Sequence, residues 1–179
     1  MTGRARPATT GAHSDPLTAG TAAAELVGAL RELGHTVATA ESLTAGLVAA
    51  TIAGVPGAST VLRGGLVVYA TDLKHTLAGV GEHVLATEGP VAASTAEQLA
   101  VGARETCRAD WGIALTGVAG PDPQDGIDVG TVFLGFAGPG HTEVVRLKLT
   151  GDRWNIRSTA THTAVRELLR CVRGETPTR

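Results

Sequence analysis

Lysine is almost missing from this chain: Lys74 and Lys148 stand against thirteen arginines in 179 residues. Aromatic side chains make up only 3%, which leaves the core to Ala, Val and Leu, and 24 glycines imply many tight turns. Cysteine is equally sparse. Cys107 and Cys171 lie 64 residues apart with no Cys-x-x-Cys pair, so they read as free thiols and not as a redox motif or zinc knuckle. The six histidines show neither HExxH nor HxH spacing, so no metal centre is indicated and no cofactor is expected, though distant ligands could still converge. No apolar run reaches the roughly 18 residues that span a bilayer, and the N-terminus lacks the apolar stretch of a signal peptide. A net charge of −2 gives no general attraction to nucleic acid or anionic membrane. The expected compartment is the cytoplasm, with neither nucleic acid nor membrane as a partner.

The length fits one domain with a proper core. Residues 1–17 are polar and rich in Gly, Pro and Thr, and read as a disordered leader; 18–173 read as the domain and 174–179 as a flexible tail. Apolar spacing predicts helices over 19–33, 43–53, 72–78 and 92–107, and a last helix opening at Gly151-Asp152. Strands are expected over 35–40, 64–70, 111–116, 131–137 and 143–149, the last two joined as a hairpin by Gly138-Pro-Gly-His. Strands alternating with helices and ending in a hairpin imply a three-layer α/β/α sandwich with a mixed β-sheet.

Four segments carry candidate chemistry. Ser42 falls at a strand-to-helix turn, where its hydroxyl is either a helix N-cap or a nucleophile beside the free N–H groups of a first helical turn. Lys74 follows a Gly-Gly-Leu-Val-Val-Tyr strand within a turn and a half of Tyr69, the only tyrosine. Unlike arginine, a lysine loses its proton when buried, so Lys74 is either a surface residue or a base for Ser42, with Tyr69 in the relay. Thr116-Gly117 opens a glycine-rich loop whose amides suit a phosphate, ribose or carboxamide, or which simply connects two strands. Arg153 and Arg157, one helical turn apart, form either a phosphate clamp or a solvated basic edge.

The blocks Ala40-Glu41-Ser42-x-Thr44-x-Gly46, Gly65-x-x-x-Tyr69-x-x-x-x-Lys74, Thr116-Gly-x-Ala-Gly-Pro-Asp122, Val129-Gly-Thr-Val132 and Gly151-Asp-Arg153-x-x-Ile-Arg157 occur in this order. Together they resemble the CinA C-terminal, or nicotinamide-nucleotide amidase, family over about residues 20–173. The resemblance implies deamidation of nicotinamide mononucleotide to nicotinic acid mononucleotide and ammonia, without metal, on a three-layer α/β/α fold, commonly as a homodimer. It makes Ser42 the nucleophile, Lys74 the general base and Tyr69 a relay or positioning group. Thr44, Gly46, Thr116 and Gly117 would bind substrate or support the oxyanion, and Arg153 with Arg157 would hold the 5′-phosphate. A non-catalytic nucleotide-binding module, or a competence/damage-inducible partner protein, is the rival reading. Larger members carry a further N-terminal domain resembling molybdopterin-binding proteins; the standalone form is the expectation here.

The chain departs from the family pattern at three points. Leu43 and Ala45 replace the Cys and first Gly of a frequent Ser-Cys-Thr-Gly-Gly, and the Ala45 Cβ disfavours a left-handed backbone there. The Gly-Gly after Pro121-Asp122 is missing, and Asp128 replaces a proline. Asp122, Asp125 and Asp128 are therefore expected to oppose a phosphate.

Overall fold

A computed structural model of the protein describes residues 15–176. Its centre is a five-stranded sheet built from β1 (Val37–Glu41), β2 (Leu62–Val67), β3 (Trp111–Gly117), β4 (Thr131–Gly138) and β5 (His141–Lys148), in the order β2-β1-β3-β4-β5. The first three strands run parallel, and β4 and β5 run antiparallel as the expected hairpin. The sheet is mixed, as the sequence implies.

Alternation along the buried strands splits their side chains between two cores. Val37, Trp111, Ile113, Leu115, Val132, Leu134 and Phe136 face α1 (Ala23–Leu33), α2 (Leu47–Ala53) and α6 (Arg153–Arg173). Ala38, Ala40, Ala114 and Ala137 face α5 (Ala93–Cys107), with α3 (Thr71–Thr76) and α4 (Glu82–Thr87) beside it. The second core is built almost wholly of small residues, so α5 lies close to the sheet. A Cβ on Gly112 would sit 1.9 Å from Ala100 O, and one on Gly135 would sit 2.1 Å from Ala96 O. Glycine is required at both positions. This is how a chain poor in aromatics fills three layers.

Several boundaries differ from expectation for local reasons. Of the leader expected over 1–17, residues 1–14 lie outside the described residues, and turns occupy 16–20. The first helix starts at Ala23 and not near 19, because Gly20 has φ +70°. The second starts at Leu47 and not 43, because Ala45 and Gly46 have φ +51° and +98°. Strand β2 ends at Val67, leaving Tyr69 beyond it. The six-residue α4 has no counterpart among the expected elements; it buries none of its own residues, so it carries no apolar periodicity. Of the tail expected over 174–179, Gly174 closes α6 at φ +69° and residues 177–179 lie outside the described residues. No helix among the described residues is long and apolar enough to cross a membrane.

Candidate active site

The chain leaves β1 towards α2 on one face of the sheet and leaves β2 towards α3 and α5 on the other. Connections that part in this way open a crevice at the carboxyl ends of the strands. Here it is a cleft of about 530 Å³, partly open to solvent, lined by Ser42 and Leu43 after β1, Tyr69 and Lys74 after β2, Thr116–Gly120 after β3, and Arg153 at the start of α6.

Ser42 and Lys74 come from these two diverging loops and meet inside. Lys74 Nζ donates to Ser42 Oγ at 3.0 Å and to the Val68 carbonyl at 2.8 Å. The Ser42 backbone is fixed by a bond from its N–H to Leu115 O on β3. Lys74 is only 1% exposed and forms no ion pair among the described residues. Burial without a neighbouring negative charge favours the neutral amine, and its pKa falls from 10.5 to about 8. The surface reading of this lysine is therefore excluded.

The helix-cap reading of Ser42 fails as well. Four residues separate it from α2, whose N-cap is Gly46. The free N–H groups of that helix are also not available to a ligand. Glu41, fully buried, reaches forward from the last position of β1 and accepts from Gly46, Val48 and Ala49 at 2.8–3.1 Å. Thr39 donates to the same carboxylate at 3.2 Å. The anion at this helix N-terminus is the protein's own side chain. In the sequence Glu41 stands out only as part of a motif; its signal is a charged residue at the end of a strand buried throughout.

Ala45 does adopt the left-handed backbone that its Cβ disfavours, at φ +51°. With Gly46 it folds residues 42–46 into successive turns, closed by bonds from Ala45 N to Ser42 O and from Leu47 N to Thr44 O. The loop shape survives the Gly-to-Ala departure at a strain of roughly 1 kcal/mol.

The remaining candidates divide. Thr116 and Gly117 line the cleft, although Thr116 Oγ1 donates to Pro90 O at 2.6 Å and so holds the start of the α5 connection. Arg153 also lines it, donating to Gly120 O and to the Tyr69 hydroxyl, both at 2.8 Å. Tyr69 is half-exposed at the cleft mouth, and its recorded side-chain partner is Arg153. Three candidates are corrected. Thr44 is fully buried behind the loop, its hydroxyl enclosed without a partner among the described residues. Gly46 is bound to Glu41, outside the cleft. Arg157 forms no clamp with Arg153; it donates to the carbonyls of Leu43 (2.8 Å) and Thr44 (3.1 Å) and braces the Ser42 loop from behind. Of the three acids expected to oppose a phosphate, only Asp122 lines the cleft; Asp125 sits in a turn and Asp128 O accepts from Thr131 N.

Residues 19–172 match the CinA C-terminal domain. A CinA-like protein of Frankia casuarinae is 44% identical over 149 residues, covering 83% of this chain and 34% of its own length. A CinA-like protein of an Anaeromyxobacter species is 45% identical over 143 residues, covering 78% and 34%. The chain thus spans about a third of the length of these relatives. The crystal structure of the competence/damage inducible protein CihA from Agrobacterium tumefaciens superposes with a TM-score of 0.80 at 34% identity, over 84% of this chain and 93% of that one. On sequence and on fold alike, this chain belongs to the CinA C-terminal domain family.

Proposed function

We propose that the protein is a nicotinamide-nucleotide amidohydrolase that releases ammonia from nicotinamide mononucleotide through Ser42 and Lys74. The observation that carries this reading is the 3.0 Å contact between a serine hydroxyl and a buried amine with no anionic partner among the described residues. A pure binding module has no use for a lysine held near neutrality in its pocket.

In the proposed reaction, neutral Lys74 takes the Ser42 proton as Oγ attacks the carboxamide carbon. The tetrahedral oxyanion is met by the N–H group of Leu43, which lines the cleft, has no acceptor among the described residues and belongs to the loop that Arg157 braces. The Lys74 ammonium then returns a proton to the departing nitrogen, giving ammonia and an ester on Ser42. Attack of water on that ester, with Lys74 again as base, releases the acid. Val68 O keeps the amine aimed at Ser42 in both half-reactions.

The nucleotide part of the substrate rests on the family resemblance and on Arg153 at the cleft mouth, where its guanidinium suits a phosphate. Tyr69 and Gly120 O hold that guanidinium in place. The test is ammonia release from nicotinamide mononucleotide by the purified protein and by Ser42→Ala. Binding of the nucleotide without turnover at any pH between 6 and 9 would replace this reading with that of a binding module.

A further inference from the structure

The end of the sheet remote from the cleft carries a second cluster. His141 opens β5 opposite Gly138, and Glu143 follows two residues on, so both side chains lie on one face. The last turns of α6 bring Cys171 against them. Glu143 Oε2 lies 3.3 Å from His141 Nε2 and 3.8 Å from Cys171 Sγ, and all three ligand atoms fall within 4.8 Å of one another.

The two separations from Glu143 Oε2 lie close to the edges of a metal tetrahedron. With zinc bond lengths of about 2.0 Å to N and O and about 2.3 Å to S, neighbouring ligand atoms lie about 3.3 Å (N to O) and about 3.5 Å (O to S) apart. A second observation points inward. His141 Nε2 is enclosed and makes no hydrogen bond within the described residues, although the rest of the side chain is partly exposed. The ring nitrogen faces a carboxylate oxygen and a thiol without a well-formed hydrogen bond to either, which leaves its lone pair open to a further contact.

The surrounding charges are compatible. Arg170 donates to Glu143 Oε1, which leaves Oε2 turned to His141 and Cys171, and its Nε bonds Glu167 at 2.9 Å. Its third anchor is the Glu175 carbonyl at 2.9 Å, and it approaches Cys171 Sγ at 3.4 Å. Arg170 and Glu167 cancel, so a Glu143 carboxylate and a Cys171 thiolate offer two negative charges to a divalent ion. A thiolate, an imidazole and a carboxylate together suit a borderline-soft metal and not Mg²⁺ or Ca²⁺.

We propose that His141, Glu143 and Cys171 bind one divalent transition-metal ion, with Zn²⁺ the best-fitting, completed by water on the exposed His141 side. On binding, the Cys171 S–H bond breaks, its proton passes to solvent and a sulfur–metal bond forms; no electron is transferred. The ion would staple the β4–β5 hairpin to the end of α6. This site shares no residue with the Ser42 cleft, so its test is independent of the amidase reading.

Chelator-treated full-length protein titrated with Co²⁺ should bind one equivalent, with a thiolate-to-metal charge-transfer band that Zn²⁺ displaces. His141→Gln (at the hairpin, partly exposed) and Cys171→Ala should lose the band and weaken Zn²⁺ binding by about 100-fold or more. Ser42→Ala should keep both. Folding of each variant is checked by circular dichroism. The proposal is overturned if folded wild type gives no charge-transfer band. It is equally overturned if both variants bind Zn²⁺ as wild type does, which would leave the cluster an ion pair only.

Discussion

Two buried cations occupy opposite ends of this sheet, and they are treated in opposite ways. Among the described residues Lys74 has only neutral partners, a hydroxyl and a carbonyl, and burial pulls its pKa down to about 8. Arg170 is clasped by Glu143 and Glu167, and the hydrogen bond to Glu143 pushes its pKa up. A desolvated charge without a counterion destabilises its own charged form, whereas a desolvated charge between two carboxylates is locked in it. The first arrangement leaves an amine that sheds its proton near pH 8; the second makes a clamp between β5 and α6.

The sharpest way to break the contrast is at the cleft. Ser42→Ala should lower ammonia release by about 10³-fold or more, measured as kcat/KM, with unchanged thermal unfolding. A loss smaller than tenfold would strip Lys74 of its role as that serine's base.

At the other end, Glu143→Ala leaves Arg170 short of a partner and should cost about 3 kcal/mol in denaturant unfolding. The measurement is made with chelator present, so that metal plays no part. The proposed release of ammonia from nicotinamide mononucleotide, measured below the transition, should not change.

Lys74→Met tests the cleft cation in the reverse direction. Native Lys74 releases its proton at about pH 8 and unfolded lysine near 10.5. Between these values the unfolded chain binds more protons, so wild-type stability rises with pH through that window. Below it both states are protonated and the native amine bears its desolvation penalty in full. Lys74→Met should therefore gain about 1–2 kcal/mol at pH 7, flatten the rise between pH 8 and 10.5, and abolish turnover. A variant less stable than wild type at pH 7 would mean that the amine is better solvated than its burial indicates. In the wild type itself, kcat/KM should climb about tenfold from pH 7 to 9, with a midpoint near 8.

The smallest effect concerns the loop that presents Ser42. Ala45→Gly relieves a left-handed alanine and should stabilise by about 1 kcal/mol, less the entropy that glycine adds to the unfolded chain. Turnover should stay within twofold, because the backbone shape is already that of a glycine.

Much of this was legible in the linear chain. Alternating strands and helices gave the mixed sheet, and Ser42 and Lys74 were singled out as a pair from a turn serine and a rare lysine. A serine shortly before a helix is expected to meet that helix's free N–H groups, and Ser42 does not. Glu41 fills them first, a contact that spans five to eight residues and depends on two left-handed positions. Arg153 and Arg157 looked equivalent because they sit one helical turn apart. Only the fold separates them, aiming the first across the cleft to Tyr69 and the second at the carbonyls of Leu43 and Thr44. The His141, Glu143 and Cys171 cluster had no sequence signature, since its cysteine arrives from another element 28 residues beyond the glutamate.

The order of residues by itself determined which elements form, which faces are apolar, which family the chain resembles and which side chains are capable of proton transfer. Those properties follow from local spacing and intrinsic chemistry, and they need no third dimension. Only the tertiary structure decided which charges are left without a counterion. Desolvation and Coulomb attraction act through space, so the same positive charge became an adjustable amine beside Ser42 and a permanently charged clamp beside Glu143.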